Sequence, residues 1–301
     1  MKSKPNATAA ARGATSADQA LPGALRAHDG TRLHVHHWPV DRPNGTVQLI
    51  HGMGEHAGRF DELARLLNQA GWAAAAIDHR GHGRSEGPRG ALKHAHDLLH
   101  DQALLYDAIA RAYPDRPRVV LGSSMGGAVA ARLSCSLSAA EAGEPWARPL
   151  HGAILAAPAL QPTMSITQRA LLSSLGRLVP DLAVPAGFRH EWITTNPEVL
   201  HEIETDPLLH EQLTPRLAQF LLDSGEAVFA RAKQWTVPTL MLYSTADRLV
   251  MPAGCERFVR QAPAHLVRAH VYDHLAHDLL HEPDRQRVFA HLLSWLAALK
   301  V

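Results

Sequence analysis

Two serines stand side by side in "VVLGSSMGGAVAARL", residues 119–133, with glycines on both sides. A Gly-x-Ser-x-Gly pentapeptide on a sharp strand-to-helix turn can present one serine hydroxyl as a nucleophile. Glycines serve there because the turn crowds backbone against Cβ, and the serine itself sits in a strained conformation. One frame fits, Gly122-Ser123-Ser124-Met125-Gly126; a frame centred on Ser123 would need glycine in place of Leu121 and Met125. Ser124 is therefore the candidate nucleophile, supported by Gly122 and Gly126. Gly127 and Ala128 let the following helix approach the strand closely.

A serine hydroxyl attacks once a base takes its proton, and an imidazole held by a carboxylate is such a base. In the architecture that hosts this pentapeptide the chain order is serine, acid, histidine, with the last two on loops after late strands. "YSTADRLV" puts Asp247 just past the apolar run 239–244. "VYDHLAHDLLHE" puts His274, His277 and His281 past the last strand-like run, and on the residues alone the three compete. Asp247 and His277 are 30 residues apart, room for one helix and one strand. Acyl transfer also needs two N–H donors aimed at the developing oxyanion. One is the amide of Met125. The other is that of Met53 in "HGMGEH", where Gly52 and Gly54 free the backbone to turn inward.

The surrounding elements suit these roles. "ALRAHDGTRLHVHHWPV" holds two short strand-like runs split by Asp29-Gly30, a pair that supplies the positive φ angles of a two-residue hairpin turn. Runs at 46–50, within "GWAAAAI", in "RVVLG" and in "GAILAAP" read as strands, with helices expected at 60–70, 97–112 and after Ser124. Strands at 239–244 and 266–273 and a helix at about 284–299 complete the pattern. Strands alternating with helices imply a mainly parallel sheet covered on both faces. Between Pro158 and Pro238 the pattern breaks into leucine-rich amphipathic segments, "TQRALLSSLGRLVPDL" and "PRLAQFLLDSGEAVFARA". Such an insertion is a natural cap over the strand C-termini, where open α/β sheets bind ligands. The domains expected are a tail at 1–22, an α/β core at 23–158 and 237–301, and a helical cap at 159–236.

The 301 residues are 46% hydrophobic and 20% charged, with formal net charge +1, which fits a packed domain. Lys and Arg form no basic stripe, so no nucleic-acid partner is expected. The two cysteines, Cys135 and Cys255, read as buried thiols rather than a disulfide. No run reaches the ~18 apolar residues of a spanning helix. The first 22 residues carry positive charge but no apolar stretch, a poor secretory signal, so a cytoplasmic location is expected. His34 and His36 alternate on one strand face, as two metal ligands would. With no third ligand in view, that run reads as exposed strand.

Together the motifs resemble those of the monoacylglycerol lipase/lysophospholipase-like branch of the α/β-hydrolase superfamily. "HGMGEHAGRF" is similar to its His-Gly-x-Gly-Glu-His loop, "DHRGHGRSEGPRG" to its Asp-x-Arg-Gly-His-Gly segment, and "GSSMGG" to its elbow. "TTNPEVLHEIETDPLLH" resembles the end of its cap, "STADRLV" its acid loop, and "AHDLLHE" its Ala-His-x-x-x-x-Glu base loop, which singles out His277. The resemblance runs from about residue 25 to the C-terminus. It implies a mostly parallel eight-stranded sheet flanked by helices, with a helical cap inserted before the last two strands. It implies a triad of Ser124, Asp247 and His277, an oxyanion hole from the amides of Met53 and Met125, and neither cofactor nor metal. The implied substrates are monoacylglycerols, lysophospholipids or small esters, taken up in an apolar tunnel under a cap that can touch membranes peripherally. Pro180, Pro185, Arg177, Arg189 and Glu191 argue against a long apolar membrane helix in this cap. Relatives of the fold that use aspartate as nucleophile are excluded by Ser124. Peptidases share the triad and would want a cap carboxylate for the substrate amine, for which Glu202, Glu204 and Asp206 are candidates. A non-catalytic binding protein of the fold would be expected to lack part of this machinery.

Overall fold

The computed structural model describes residues 20–135, 143–163, 176 and 178–299. Among the described residues there are ten strands: β1 (Ala24–Arg26), β2 (Arg32–Trp38), β3 (Gly45–Ile50), β4 (Trp72–Ile77), β5 (Arg118–Ser123), β6 (Gly152–Ala156), β7 (Val184–Pro185), β8 (Gln212–Leu213), β9 (Thr239–Ser244) and β10 (Val267–Tyr272). Eight of them form one sheet in the order β1-β2-β4-β3-β5-β6-β9-β10. The pairs from β4 to β10 are parallel; β1 and β2 are antiparallel additions at one edge. Every residue of β3, β4, β6 and β9 is buried, which is why β4 and β6 read as unbroken apolar runs.

Side chains alternate between the two faces with period two. Ile50, Val120, Leu155 and Met241 pack on one face, against α2 (Asp97–Ala112), α3 (Met125–Cys135) and α6 (Pro215–Arg231). Leu49, Leu121, Ile154 and Leu240 pack on the other, against α1 (Asp61–Gln69) and α8 (Arg285–Ala298). Cys135 and Cys255 are both buried on the first face, Cys255 within α7 (Pro252–Gln261).

Between β6 and β9 the chain leaves the sheet and forms α4 (His190–Ile193), α5 (Pro197–Thr205) and α6. Asn196 and Thr214 cap α5 and α6 by accepting backbone N–H groups, and a proline opens each helix where no N–H is needed. The amides of His210, Thr214 and Asp278 donate to Gly54, Gly90 and Ile193. The segment therefore lies across loops that follow β3, β4 and β10, at the C-terminal ends of the strands.

Some expectations change. The Asp29-Gly30 pair does not make a two-residue turn. Arg26 faces Arg32, so five residues connect the strands, and Gly30 alone of the pair has positive φ. The carboxylate of Asp29 is drawn away to the Thr31 amide, Lys93 and Arg80. The inserted segment also contains a short antiparallel pair, β7 with β8. Most of the helix read at 167–182, and the 1–19 part of the tail, lie outside the described residues.

Candidate active site

Ser124 sits between the end of β5 and the first residue of α3. Its φ is +54°, a left-handed conformation that costs a non-glycine residue about 1–2 kcal/mol. Neighbouring backbone enforces it. The Ser124 amide donates to the Ala156 carbonyl at 3.0 Å, and the Ser124 carbonyl accepts from the Ala159 amide at 2.9 Å. A Cβ on Gly122 would run into the Gly126 carbonyl, and one on Gly126 into the Ile50 carbonyl. The two glycines are thus required by backbone contact across the turn.

The Ser124 Oγ lies 2.7 Å from His277 Nε2, and His277 Nδ1 lies 2.7 Å from Asp247 Oδ2. An ionised carboxylate only accepts, so Nδ1 carries a proton and Nε2 is left to receive the one on Ser124. Asp247 is held by its own loop, its Oδ1 accepting the amides of Leu249 at 2.8 Å and Val250 at 3.0 Å. Burial works to lower the His277 pKa, but the charge and hydrogen bond of Asp247, helped by Asp278 and Glu55, outweigh it and raise it above its ordinary value.

Of the three histidines on this stretch, His277 is the one bonded to Ser124. His274 is half exposed and pairs with Asp273 and Asp284. His281 donates from Nδ1 to Asp278 and from Nε2 to the Arg59 carbonyl, so both nitrogens carry protons and the ring is a cation. Burial would raise the Asp278 carboxyl, yet His281 and Arg59 hold it well below the usual carboxylate range. Glu282 explains why His277 stands where it does. Its buried carboxylate accepts the Ala276 amide at 2.9 Å, the Thr195 amide at 2.6 Å and the Thr194 hydroxyl at 2.6 Å. The signal for this was the glutamate five residues after His277, whose partners 87 residues upstream no local pattern reveals.

Gly52 packs against Ser124, since a Cβ there would lie 3.3 Å from Ser124 Cβ. His51 donates from Nδ1 to the Gly52 carbonyl at 2.7 Å and accepts the His79 amide at Nε2, 2.9 Å. The Gly52 carbonyl and the Met53 N–H belong to one trans peptide plane and point in opposite directions. Holding the first fixes the heading of the second. Met125 opens α3, and the first amides of a helix have no partner within it. His51, His79 and His82 are wholly buried beneath this turn. Burial pushes His79 down to about 4 and the other two well below their ordinary value, so all three rings are neutral near pH 7. Sequence reasoning missed this cluster, which only tertiary burial creates.

A cavity of about 100 Å³ opens beside the turn, bounded by Met53, Glu55, Arg59, Phe188, Ile193 and Leu209. Of the acids considered for anchoring a substrate amine, Glu202 and Glu204 are exposed and Asp206 is bonded to His56 Nε2 at 2.9 Å.

An eight-stranded sheet of this order, with a strained serine at the end of its fifth strand, defines an α/β-hydrolase. Residues 41–284 match the family described as serine aminopeptidase, S33. The chain is 33% identical to the monoacylglycerol lipase of Mycolicibacterium smegmatis over 272 residues, 89% of this chain and 94% of that one. It is 31% identical to the monoglyceride lipase of Homo sapiens over 289 residues, 93% of this chain and 91% of that one. The crystal structure of Paleococcus ferrophilus monoacylglycerol lipase superposes with a TM-score of 0.77 at 25% identity, covering 89% and 99% of the two chains. The chain belongs to this family as a monoacylglycerol lipase-like α/β-hydrolase, and it is a carboxylic-ester hydrolase. Among the described residues no helix is long and apolar enough to cross a membrane.

Proposed function

We propose that the protein hydrolyses monoacylglycerols or lysophospholipids through an acyl-enzyme formed on Ser124. The observation that carries this reading is the continuous hydrogen-bonded relay Ser124–His277–Asp247. His277 takes the Ser124 proton as Oγ attacks the ester carbonyl, and Asp247 steadies the imidazolium. The Met53 and Met125 amides receive the oxyanion. Collapse expels the alcohol, which takes its proton from His277; a water activated by the same ring then releases the fatty acid. Residues 159–236 act as the cap. The apolar side chains of Met53, Phe188, Ile193 and Leu209 favour a hydrocarbon chain in the cleft. Leu178, Leu182, Val184 and Phe188 are each exposed on the cap and suit peripheral contact with a lipid surface.

A panel of monoacylglycerols, lysophospholipids, short-chain esters and aminoacyl amides tests the reading. The highest kcat/KM is expected on a monoacyl lipid. A preference for aminoacyl amides would overturn it in favour of a peptidase, and a preference for acetate esters in favour of a small-ester esterase.

In this reading His51 is a positioning residue for the Met53 amide. His51→Phe fills the space but cannot hold the Gly52 carbonyl. It is expected to lower kcat up to ~10²-fold, the scale of one lost oxyanion donor, while KM changes less than threefold. A rise in KM at unchanged kcat would assign His51 to substrate binding instead.

A further inference from the structure

The strand carrying His34 and His36 is half-buried rather than exposed, and a third donor does face it. One ring nitrogen from each histidine and a carboxylate oxygen of Asp78 all lie within 4.8 Å of one another. His34 and His36 project from the same side of β2, and Asp78 follows β4, the strand paired with β2 through Val35 and Ile77. The two rings meet edge to face with centroids 4.7 Å apart. Asp78 is fully buried, and its Oδ1 already lies 3.0 Å from His36 Nε2.

We propose that His34, His36 and Asp78 form a binding site for a borderline divalent transition ion such as Zn²⁺, separate from the ester-cleaving site. Two imidazoles and one carboxylate are the donor set such ions prefer; Ca²⁺ and Mg²⁺ want oxygen alone. Ligand bonds of about 2.1 Å in tetrahedral geometry set donors roughly 3.4 Å apart. The His36–Asp78 pair, at 3.0 Å, needs to open by only about 0.4 Å, and a turn of the half-buried His34 ring closes the remainder. The ion displaces the proton shared by His36 and Asp78, and solvent completes its coordination. Asp78 brings a rigid second shell, since Oδ1 also accepts the Ala57 amide at 2.8 Å and Oδ2 the Arg84 amide at 2.8 Å. Through Ala57 the ion would brace the loop that carries Met53.

The test is Zn²⁺ titration of the full chain by calorimetry, with a weak competing chelator to suppress adventitious sites among the 21 histidines. One tight site is expected in wild type, at least 10-fold weaker in His34→Gln and unchanged in a His270→Gln/His291→Gln control. Zn²⁺ at a hundredfold excess over Kd is expected to raise Tm by about 5 °C in wild type and not in His34→Gln. Equal affinity in His34→Gln, or loss of the tight site in the control alone, would overturn the assignment. Should His34→Gln not fold, Cu²⁺ electron paramagnetic resonance on wild type decides. At one equivalent, coupling to two nitrogens supports the site and any other number rejects it.

Discussion

Ser124→Ala lowers kcat toward every ester by roughly 10⁴–10⁶-fold, the range seen when a triad serine is removed, and leaves Tm within about 1 °C of wild type. Alanine at φ +54° carries the same backbone strain as serine, so the folded state neither gains nor loses on that account. What disappears is the single oxygen that His277 can deprotonate. A fluorophosphonate labels wild type at Ser124 and leaves the variant unlabelled. Labelling at the adjacent Ser123, or turnover within 100-fold of wild type in the variant, would move the nucleophile elsewhere. Ser123 is a poor substitute because it is buried within β5, paired with Ala156 in the sheet register.

His277→Ala is the second large effect. A fall in kcat of ~10⁴-fold or more is expected, again on the triad scale. The neighbouring histidines behave differently. His281→Ala leaves Asp278 buried against Arg59 without its second cation, which destabilises the fold by about 3 kcal/mol but keeps kcat within tenfold. His274→Ala, at the surface, changes stability by about 0.5 kcal/mol or less. The pH profile provides an independent check. In the proposed mechanism attack needs neutral His277, whose pKa is raised above the ordinary 6.5. The kcat/KM of wild type therefore falls as pH drops through a midpoint above 6.5. The stability contributed by the protonated ring runs the other way: fully present below 6.5, lost as pH rises through the folded-state pKa. Asp247→Asn removes the charge that outweighs burial, so its acid limb moves to lower pH. An unmoved limb would mean that another group sets it.

Much of this was legible in the chain because its signals are local. The strand at 46–50, the apolar runs of β4, β6 and β9, and the glycine pair around Ser124 are each written within a few consecutive residues. Choosing His277 among three histidines was not local. It rested on the resemblance of "AHDLLHE" to a family's base loop, whose closing glutamate, Glu282, gathers Ala276, Thr194 and Thr195. The Asp29-Gly30 turn misled because the Asp29 carboxylate, besides accepting the Thr31 amide of its own loop, pairs with Arg80 and Lys93. The neutral cluster of His51, His79 and His82 and the meeting of His34 with Asp78 were invisible because both are made across the sheet. Burial and cross-strand neighbours are properties of the assembled sheet, and polar letters in sequence carry no mark of them.

The carboxylate of Glu282 has a practical consequence for engineering. It crosslinks the region entering α5 to the loop that carries His277, so the two cannot be exchanged separately. A chimaera that imports a foreign cap with junctions at 158 and 238 severs this clasp unless the donor also brings two hydroxyl-bearing residues at 194 and 195. Grafts that respect the pair should retain turnover while altering chain-length preference. Grafts that break it should express as folded but sluggish enzymes, and restoring the two threonines alone should revive them.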